Sequence, residues 1–257
     1  MPFLTVNNEL LFFEGRDGES SRALVLIHGS GADHSHWPKE LMTLPDYNIY
    51  MLDLPGHGRS SGSGRDSVAA YADVVADFIA RHGLREVVLF GHSLGSAIVL
   101  TLALRRPAWL KALVLVGAGA RLKVLPALLE QLETDFPGAV ELICQYLFGP
   151  QAAPTLVEAE RQRYLTVDWR LIRNDFLACN QFDVMTRLSE IEVPTLVITG
   201  GADALTPIKY GQYLKDQMPQ AELVVIPIAG HMVAREKPQE FVQAVGPWLQ
   251  VQFEGSG

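Results

Sequence analysis

Apolar residues along this chain fall into two alternating patterns. Continuous apolar runs, rich in β-branched residues, are typical of strands that are buried on both faces of a parallel sheet. Such runs lie at 23–27, 49–52, 87–90, 110–116, 195–199 and 223–226. Apolar residues spaced three and four apart predict helices between these strands. They lie at 67–81, 210–217 and 238–251. The alternation predicts an α/β protein with a largely parallel sheet.

Two regions depart from this alternation. Near the start, residues 3–6 and 10–14 flank Asn7-Asn8, and this pattern predicts an antiparallel hairpin at a sheet edge. From about 121 to 187 the strand pattern disappears, apolar residues recur at helical spacing, and prolines interrupt the runs. This second region predicts a helical insertion between two strands of one sheet.

The most informative stretch is 87–104, where a predicted strand leads at once into a predicted helix. The two are joined by Gly91-His92-Ser93-Leu94-Gly95. Glycines relieve the crowding of such a sharp turn, and the turn places the serine hydroxyl beside the first amides of the helix. Ser93 is therefore a candidate nucleophile. The alternative interpretation is a serine that merely caps the helix.

Length, composition and charge limit the remaining choices. The chain has 257 residues, of which 48% are hydrophobic, and a formal net charge of −8. This size fits one α/β domain with an insertion, and the negative charge argues against nucleic-acid or anionic-membrane partners. We expect no signal peptide and no transmembrane segment. Cys144 and Cys179 are expected to be buried free thiols, which favours a cytoplasmic location.

Chemistry-bearing residues follow four of the predicted strands, at His28, Ser93, Asp203 and His231. The carboxyl ends of parallel strands meet at one edge of a sheet, so these residues are expected to converge there. Two of them also have simpler interpretations. Asp203 is a candidate N-cap for the helix after Pro207, and His231 is a candidate solvated loop residue.

With these loops, the chain resembles the α/β-hydrolase family over nearly its whole length. The matching segments are His28-Gly29, Asp53 to Ser60, Gly91 to Gly95, Gly200 to Pro207, and Gly230-His231. The resemblance implies the α/β-hydrolase fold, a mostly parallel eight-stranded sheet flanked by helices, with a helical cap inserted between two strands. We expect residues 1–119 and 188–253 to form the hydrolase core, 120–187 the cap insertion, and 254–257 a flexible tail.

The resemblance also implies roles for individual residues. Ser93 would be the nucleophile, His231 its general base, and Asp203 the acid that orients the imidazole. The backbone N–H groups of Ser30 and Leu94 would form the oxyanion hole. Other relatives with this fold, dehalogenases and most epoxide hydrolases, carry aspartate at the nucleophile position, so Ser93 favours acyl transfer.

The substrate pocket and a metal alternative complete the candidate residues. Apolar residues of the insertion are expected to line a cavity above Ser93, which favours apolar acyl or aryl esters. The candidate wall residues are Gly29, His92, Trp37, Tyr146, Trp169 and Met232. Asp33, His34 and His36 form a weak metal-binding pattern without an evident further ligand. We interpret this segment as a surface loop and expect no metal site.

The sequence thus predicts a cofactor-free serine hydrolase, a carboxylesterase that acts on small to medium apolar esters as a monomer or homodimer. Several alternatives remain open at this point. They are a carbon–carbon bond hydrolase of the meta-cleavage-product type, a perhydrolase, a lactonase, an acyltransferase, and a non-enzymatic ligand receptor on the same fold.

Overall fold

The computed structural model describes residues 2–253, and within them eight strands form a single sheet. The strands are β1 (Phe3–Val6), β2 (Glu9–Arg16), β3 (Arg22–Ile27), β4 (Asn48–Leu52), β5 (Glu86–His92), β6 (Leu110–Val116), β7 (Thr195–Gly200) and β8 (Ala221–Ile226). Their spatial order is β1-β2-β4-β3-β5-β6-β7-β8. The predicted hairpin of β1 and β2 is antiparallel, and β3 to β8 run parallel. The tail predicted at 254–257 lies outside the described residues.

Helices cover both faces of the sheet and fill the predicted insertion. They are α1 (Val68–His82), α2 (Leu94–Ala103), α3 (Pro126–Thr134), α4 (Phe136–Leu147), α5 (Pro154–Thr166), α6 (Trp169–Gln181), α7 (Ile208–Gln217), α8 (Val233–Glu236) and α9 (Pro238–Phe253). Short 3₁₀ helices lie at His34–His36, Lys39–Thr43 and Met185–Glu190. Between β6 and β7 the chain forms α3 to α6. Within residues 2–253, no helix combines the length and apolarity needed to cross a membrane.

Strand β5 shows why the central strands are continuous apolar runs. Successive side chains of a strand point to opposite faces of the sheet. Val87 and Leu89 pack in the cluster that includes residues of α1 and α2. Val88 and Phe90 pack in the opposite cluster with residues of α9. Because both faces are covered by helices, apolar side chains are favourable at every position of the strand.

Helices α3 to α6 form a smaller core of their own. It contains buried residues from four of these helices and from the loop after β8: Leu132, Val140, Ile143, Tyr164, Ile172 and Met232. The C-terminal part of α6 instead joins the main core through Ala178 and Cys179. The inserted helices therefore pack both on one another and against the carboxyl edge of the sheet.

The turn between β5 and α2 is tightly packed at its glycines. Ser93 has φ 52° and ψ −114°, in the positive-φ region that non-glycine residues rarely occupy. A Cβ atom on Gly91 would collide with the Gly95 carbonyl, and one on Gly95 would collide with the Ile27 carbonyl. Glycine at both positions lets the start of α2 approach the strands closely, which places Ser93 at the sheet edge.

Replacing Gly95 by alanine is expected to lower the free energy of unfolding by about 3 kcal/mol, because the added methyl group meets backbone atoms that cannot rotate away. Gly246→Ala in α9 is the matched control, since a Cβ there makes only ordinary contact with Leu44. In that control the free energy of unfolding should be unchanged or should rise by up to about 1 kcal/mol. Urea denaturation measures both, and equal unfolding free energies would contradict the close packing at Gly95.

Candidate active site

A cavity of about 360 Å³ lies at the carboxyl edge of the sheet, between the strand ends and α3, α4, α5 and α6, with Tyr164 as the lining residue from α5. Ligand sites of open α/β sheets occur at this edge. The cavity brings together many of the residues expected from the sequence. Those that line it are Gly29, Ser30, His92, Ser93, Tyr146, His231 and Met232.

Ser93 is partly exposed to this cavity, whereas its neighbours His92 and Leu94 are buried. Its N–H donates to the Val116 carbonyl at 3.0 Å, and its own carbonyl accepts from the Ser96 hydroxyl at 2.6 Å. The Ser93 side chain makes no capping hydrogen bond, although the residue precedes the first turn of α2. The interpretation of Ser93 as a helix cap is therefore wrong, and its hydroxyl is available to a ligand.

The loop after β3 lies against this turn. A Cβ on Gly29 would lie 2.8 Å from His92 Nδ1 and 3.3 Å from the Ser93 Cβ, so a larger residue would force the turn to shift. The Gly29 carbonyl accepts from the Ala32 N–H at 3.2 Å and from His28 Nδ1 at 2.8 Å. Because the C=O and N–H of a trans peptide point in opposite directions, the Ser30 N–H points away from these two donors.

His28 is held in one tautomer by its neighbours. Its Nε2 accepts from the Leu54 N–H at 3.0 Å, so Nδ1 carries the proton that is donated to Gly29. Burial is the largest of the effects that lower the pKa of His28, to about 4. The ring is consequently neutral at physiological pH and serves as a fixed donor within the loop.

Asp203 and His231 form a buried pair at the ends of β7 and β8. His231 Nδ1 lies 2.9 Å from Asp203 Oδ2, which also accepts from the Thr206 hydroxyl at 2.7 Å. Asp203 Oδ1 accepts from the N–H groups of Leu205 and Thr206 at 2.9 and 2.8 Å. Since a carboxylate only accepts, the proton of neutral His231 resides on Nδ1, and Nε2 carries the free lone pair.

The environment of Asp203 favours its charged form. Burial alone would raise the pKa of this carboxyl, but the attraction and hydrogen bond of His231 and the donors of Thr206 lower it well below its ordinary value. The loop that carries His231 is secured separately, because Glu236 accepts from Gly149 at 3.0 Å and from Gly230 at 2.9 Å. The N-cap interpretation of Asp203 is wrong, because α7 begins at Ile208 with Pro207 at its N-cap, and the Asp203 carboxylate instead bonds the preceding turn and the imidazole.

His36 and His92 form a stacked pair beside the cavity, with ring centroids 4.3 Å apart. His92 Nε2 donates to the His231 carbonyl at 3.0 Å, and burial is the main cause that lowers the pKa of His92 to about 3. The surface-loop interpretation is wrong for His36, which is 2% exposed. Among the described residues, neither ring nitrogen of His36 has a hydrogen-bond partner.

Two of the expected wall residues lie elsewhere. Trp37 is buried on the face of the sheet that α9 covers, where its ring contacts those of Phe90 and Phe241. Trp169 begins α6, and the Arg170 guanidinium lies over its ring at 4.9 Å. Both expectations are corrected, because an aromatic residue near a site in sequence can pack on either side of the element that carries it. Tyr146 and Met232 do line the cavity.

In the structure, Asp53 lies beside Asp33 and His34 of the weak metal-binding pattern, a proximity that the sequence did not reveal. Asp53 Oδ1 lies 2.8 Å from His34 Nδ1, and Asp33 completes a group whose ligand atoms lie within 4.8 Å of one another. The Asp53 carboxylate also accepts from the N–H groups of His34 and Arg59. These bonds join two loops, and they account for the burial of Asp53.

Sequence reasoning missed several polar residues that the fold brings to this edge. Thr206 bonds the Asp203 carboxylate, and Tyr164 reaches the loop after β3. Asp175 belongs to the predicted insertion, yet it is fully buried and bonded to that same loop. One signal was available for Asp175, since an acidic residue occupied an apolar face of a predicted helix, where an unpaired charge is costly.

Comparison with known proteins identifies the fold family. The model of the alpha/beta hydrolase family matches residues 24–244. RutD of Rhizobium rhizogenes, provisionally named a carbamate hydrolase, is 30% identical over 255 residues, which cover 93% of this chain and 97% of RutD. A pimeloyl-acyl-carrier-protein methyl ester esterase of Yersinia enterocolitica is 26% identical over 249 residues, with coverage of 91% and 95%.

The solved structures include a thermophilic esterase with a TM-score of 0.88 and 35% identity, covering 98% of this chain and 97% of that one. The resemblance expected from the sequence motifs is thereby confirmed at the level of sequence and of fold. This chain belongs to the alpha/beta hydrolase family.

Proposed function

We propose that this protein is a serine hydrolase that cleaves small to medium apolar carboxylic esters through an acyl-enzyme on Ser93. The observation that carries the proposal is the buried Asp203–His231 pair, joined at 2.9 Å, beside an apolar cavity that Ser93 also lines. The names of the relatives, which include esterases, support the same class of reaction.

Acylation would begin when His231 Nε2 takes the Ser93 hydroxyl proton as the oxygen attacks the ester carbonyl. Asp203 stabilises the imidazolium that forms and keeps its Nδ1–H in place. The tetrahedral intermediate then collapses, the carbon–oxygen bond to the alcohol breaks, and His231 returns the proton to the leaving oxygen. The products of this half-reaction are a free alcohol and an ester of Ser93.

Deacylation would repeat the sequence with water as the nucleophile. His231 takes a proton from water while the water oxygen attacks the acyl carbonyl, and the proton then returns to Ser93 as the acid leaves. In both steps, the N–H groups of Leu94 and Ser30 would bind the oxyanion. Leu94 is the first residue of α2, so its N–H has no partner within the helix.

The lining of the cavity supports an apolar acyl or aryl group. Half of its lining residues come from the inserted helices and their connections, and the apolar ones among them include Leu122, Leu125, Leu128, Leu142, Ile143 and Phe176. We propose that residues 120–187 act as a cap on the core formed by 1–119 and 188–253. In this arrangement the cap excludes water from the intermediate and supplies the surface that selects the substrate.

A panel of p-nitrophenyl esters tests this function. We expect kcat/KM to rise about 4-fold for each methylene from acetate to butyrate, since each buried methylene contributes about 0.8 kcal/mol. The value should then fall for dodecanoate, whose acyl chain has three times as many carbon atoms as that of butyrate. Sustained turnover supports a hydrolase, whereas one stoichiometric burst followed by silence would favour a ligand receptor. A preference for acetate over butyrate would contradict an apolar acyl site.

A further inference from the structure

Helices α5 and α6 hold the peptide between Ser30 and Gly31 from two sides. The Tyr164 hydroxyl donates to the Ser30 carbonyl at 2.9 Å, and the Gly31 N–H donates to Asp175 Oδ2 at 2.8 Å. Arg163 Nη1 donates to the next carbonyl, that of Gly31, at 2.5 Å. These contacts join the loop after β3 to the helices inserted between β6 and β7.

Asp175 is itself firmly anchored. It is fully buried in α6, and it accepts from the Tyr71 hydroxyl at 2.6 Å and from His57 Nε2 at 2.9 Å. The other nitrogen of His57 faces the Pro55 carbonyl, so both ring nitrogens meet acceptors. Burial opposes the charge on His57, but Asp175 outweighs it and raises the pKa of this imidazole. Asp175 therefore links α6, α1 and two loops of the core.

The packing around Gly31 also shows close contact between this loop and helices α5 and α6. Gly31 has φ +62°, and a Cβ at that position would lie 3.0 Å from both the Tyr164 ring and the Ile172 side chain. The loop thus fits closely between α5 and α6, in a backbone conformation that favours glycine. Tyr164 is 4% exposed, so its hydroxyl is shielded from competition by water.

These contacts matter because Ser30 lies between two fixed peptides. The peptide before Ser30 is held by His28 and Ala32 of the core, and the peptide after it by Tyr164 and Asp175. Fixing both flanking peptides restrains the φ and ψ angles of Ser30. The direction of its N–H is then preorganised, which is the condition for strong oxyanion binding.

We propose that Tyr164 and Asp175 are positioning residues that act through the Ser30–Gly31 peptide to aim the Ser30 N–H at the oxyanion. This inference rests on the proposed function, in which Ser30 supplies an oxyanion donor. It makes α5 and α6 part of the oxyanion site, in addition to any contact that the inserted helices make with substrate.

Tyr164→Phe is the decisive variant, because it removes one hydroxyl and keeps the ring that packs on Gly31. We expect kcat for p-nitrophenyl butyrate to fall about 10-fold, with KM changed less than about 2-fold. The affinity for an alkyl trifluoromethyl ketone, whose adduct with the serine carries an oxyanion, should fall by the same factor as kcat/KM. Asp175→Asn should show the same pattern with a larger loss, near 100-fold.

Tyr50→Phe is the matched control. Tyr50 is also buried, and its hydroxyl donates to Asp17 at 2.6 Å, away from the cavity. This variant should keep kcat and inhibitor affinity, whatever stability it loses. Should Asp175→Asn fail to fold, Tyr164→Phe decides alone.

Two results would overturn the inference: wild-type kcat and inhibitor affinity in Tyr164→Phe, or equal losses in Tyr164→Phe and Tyr50→Phe. A wild-type protein without Ser93-dependent turnover would instead overturn the proposed function, and this inference with it. Ser93-dependent turnover that is indifferent to Tyr164→Phe overturns the inference alone.

Discussion

Replacing Ser93 by alanine is expected to lower kcat for p-nitrophenyl butyrate by about 10⁶-fold, the loss typical of a serine that acts as one unit with its base. The substitution removes the oxygen that would form the acyl-enzyme and leaves the cavity otherwise intact. Folding should be nearly unchanged, because the Ser93 side chain makes no capping hydrogen bond. Initial rates and urea denaturation, measured on the same preparation, separate these effects.

Ser67→Ala is a useful contrast to this variant. Ser67 caps α1 by accepting from the Ala70 N–H at 3.3 Å, so its loss should cost about 1 kcal/mol of stability without affecting kcat. Ser93→Ala should therefore lose activity and keep its stability, whereas Ser67→Ala should lose stability and keep its activity. Activity of Ser93→Ala within about 10-fold of wild type would exclude an acyl-enzyme on this residue.

Asp203→Asn is expected to lower kcat by about 10⁴-fold while the site keeps its shape. Oδ1 of Asp203 accepts from two backbone N–H groups, those of Leu205 and Thr206. In the variant, the amide oxygen must therefore remain at that position, and the amide nitrogen faces His231. Nδ1 of His231 then becomes an acceptor, so Nε2 carries the proton and cannot take one from Ser93.

Steady-state kinetics and a crystal structure of Asp203→Asn would check this expectation. Unchanged KM with reduced kcat is the result that a wrong tautomer predicts. A variant with more than about one tenth of the wild-type kcat would show that His231 does not depend on this carboxylate. Thr206→Val, which removes one donor to Asp203 Oδ2 and keeps the side-chain shape, should cost far less activity.

The lowered pKa of Asp203 also predicts how stability depends on pH. A carboxyl whose folded pKa lies below its unfolded value stabilises the protein above the unfolded pKa, near about 4, and loses that contribution as pH falls towards the folded value. The stability advantage of wild type over Asp203→Asn should therefore shrink between about pH 5 and pH 3. Urea denaturation of both proteins across this pH range measures the difference in their unfolding free energies. A difference that stays constant with pH would contradict the lowered pKa of Asp203.

Much of the scaffold was predictable because its signals are local. Apolar runs bounded by glycine and loop residues located the parallel strands, and Gly91-x-Ser93-x-Gly95 located the turn into α2. Parallel strands place their carboxyl ends together, so Ser93, Asp203 and His231 could be assigned to one edge before any contact was known. Their placement there is observed, whereas their catalytic roles remain predictions.

Pairings between distant segments were not predictable in the same way. His36 and Trp37 are adjacent in sequence, yet His36 lines the cavity and Trp37 packs beneath the sheet. Tyr164 and Asp175 belong to an insertion whose pattern indicates helices but not the loop they meet. A periodic pattern reports that a residue is buried, and says nothing about which distant atoms surround it.

The sequence by itself determined the order of strands and helices along the chain, the glycine-lined turn at Ser93, and the family, because each is indicated by short patterns that can be read locally. Only the tertiary structure decided what surrounds the site. It determined which aromatic residues face the cavity, which carboxylate accepts a hydrogen bond from His57, and which helices bind the Ser30–Gly31 peptide. Those contacts span up to 144 residues of chain, as between Gly31 and Asp175. Their geometry is set by how whole layers pack, which no local pattern encodes.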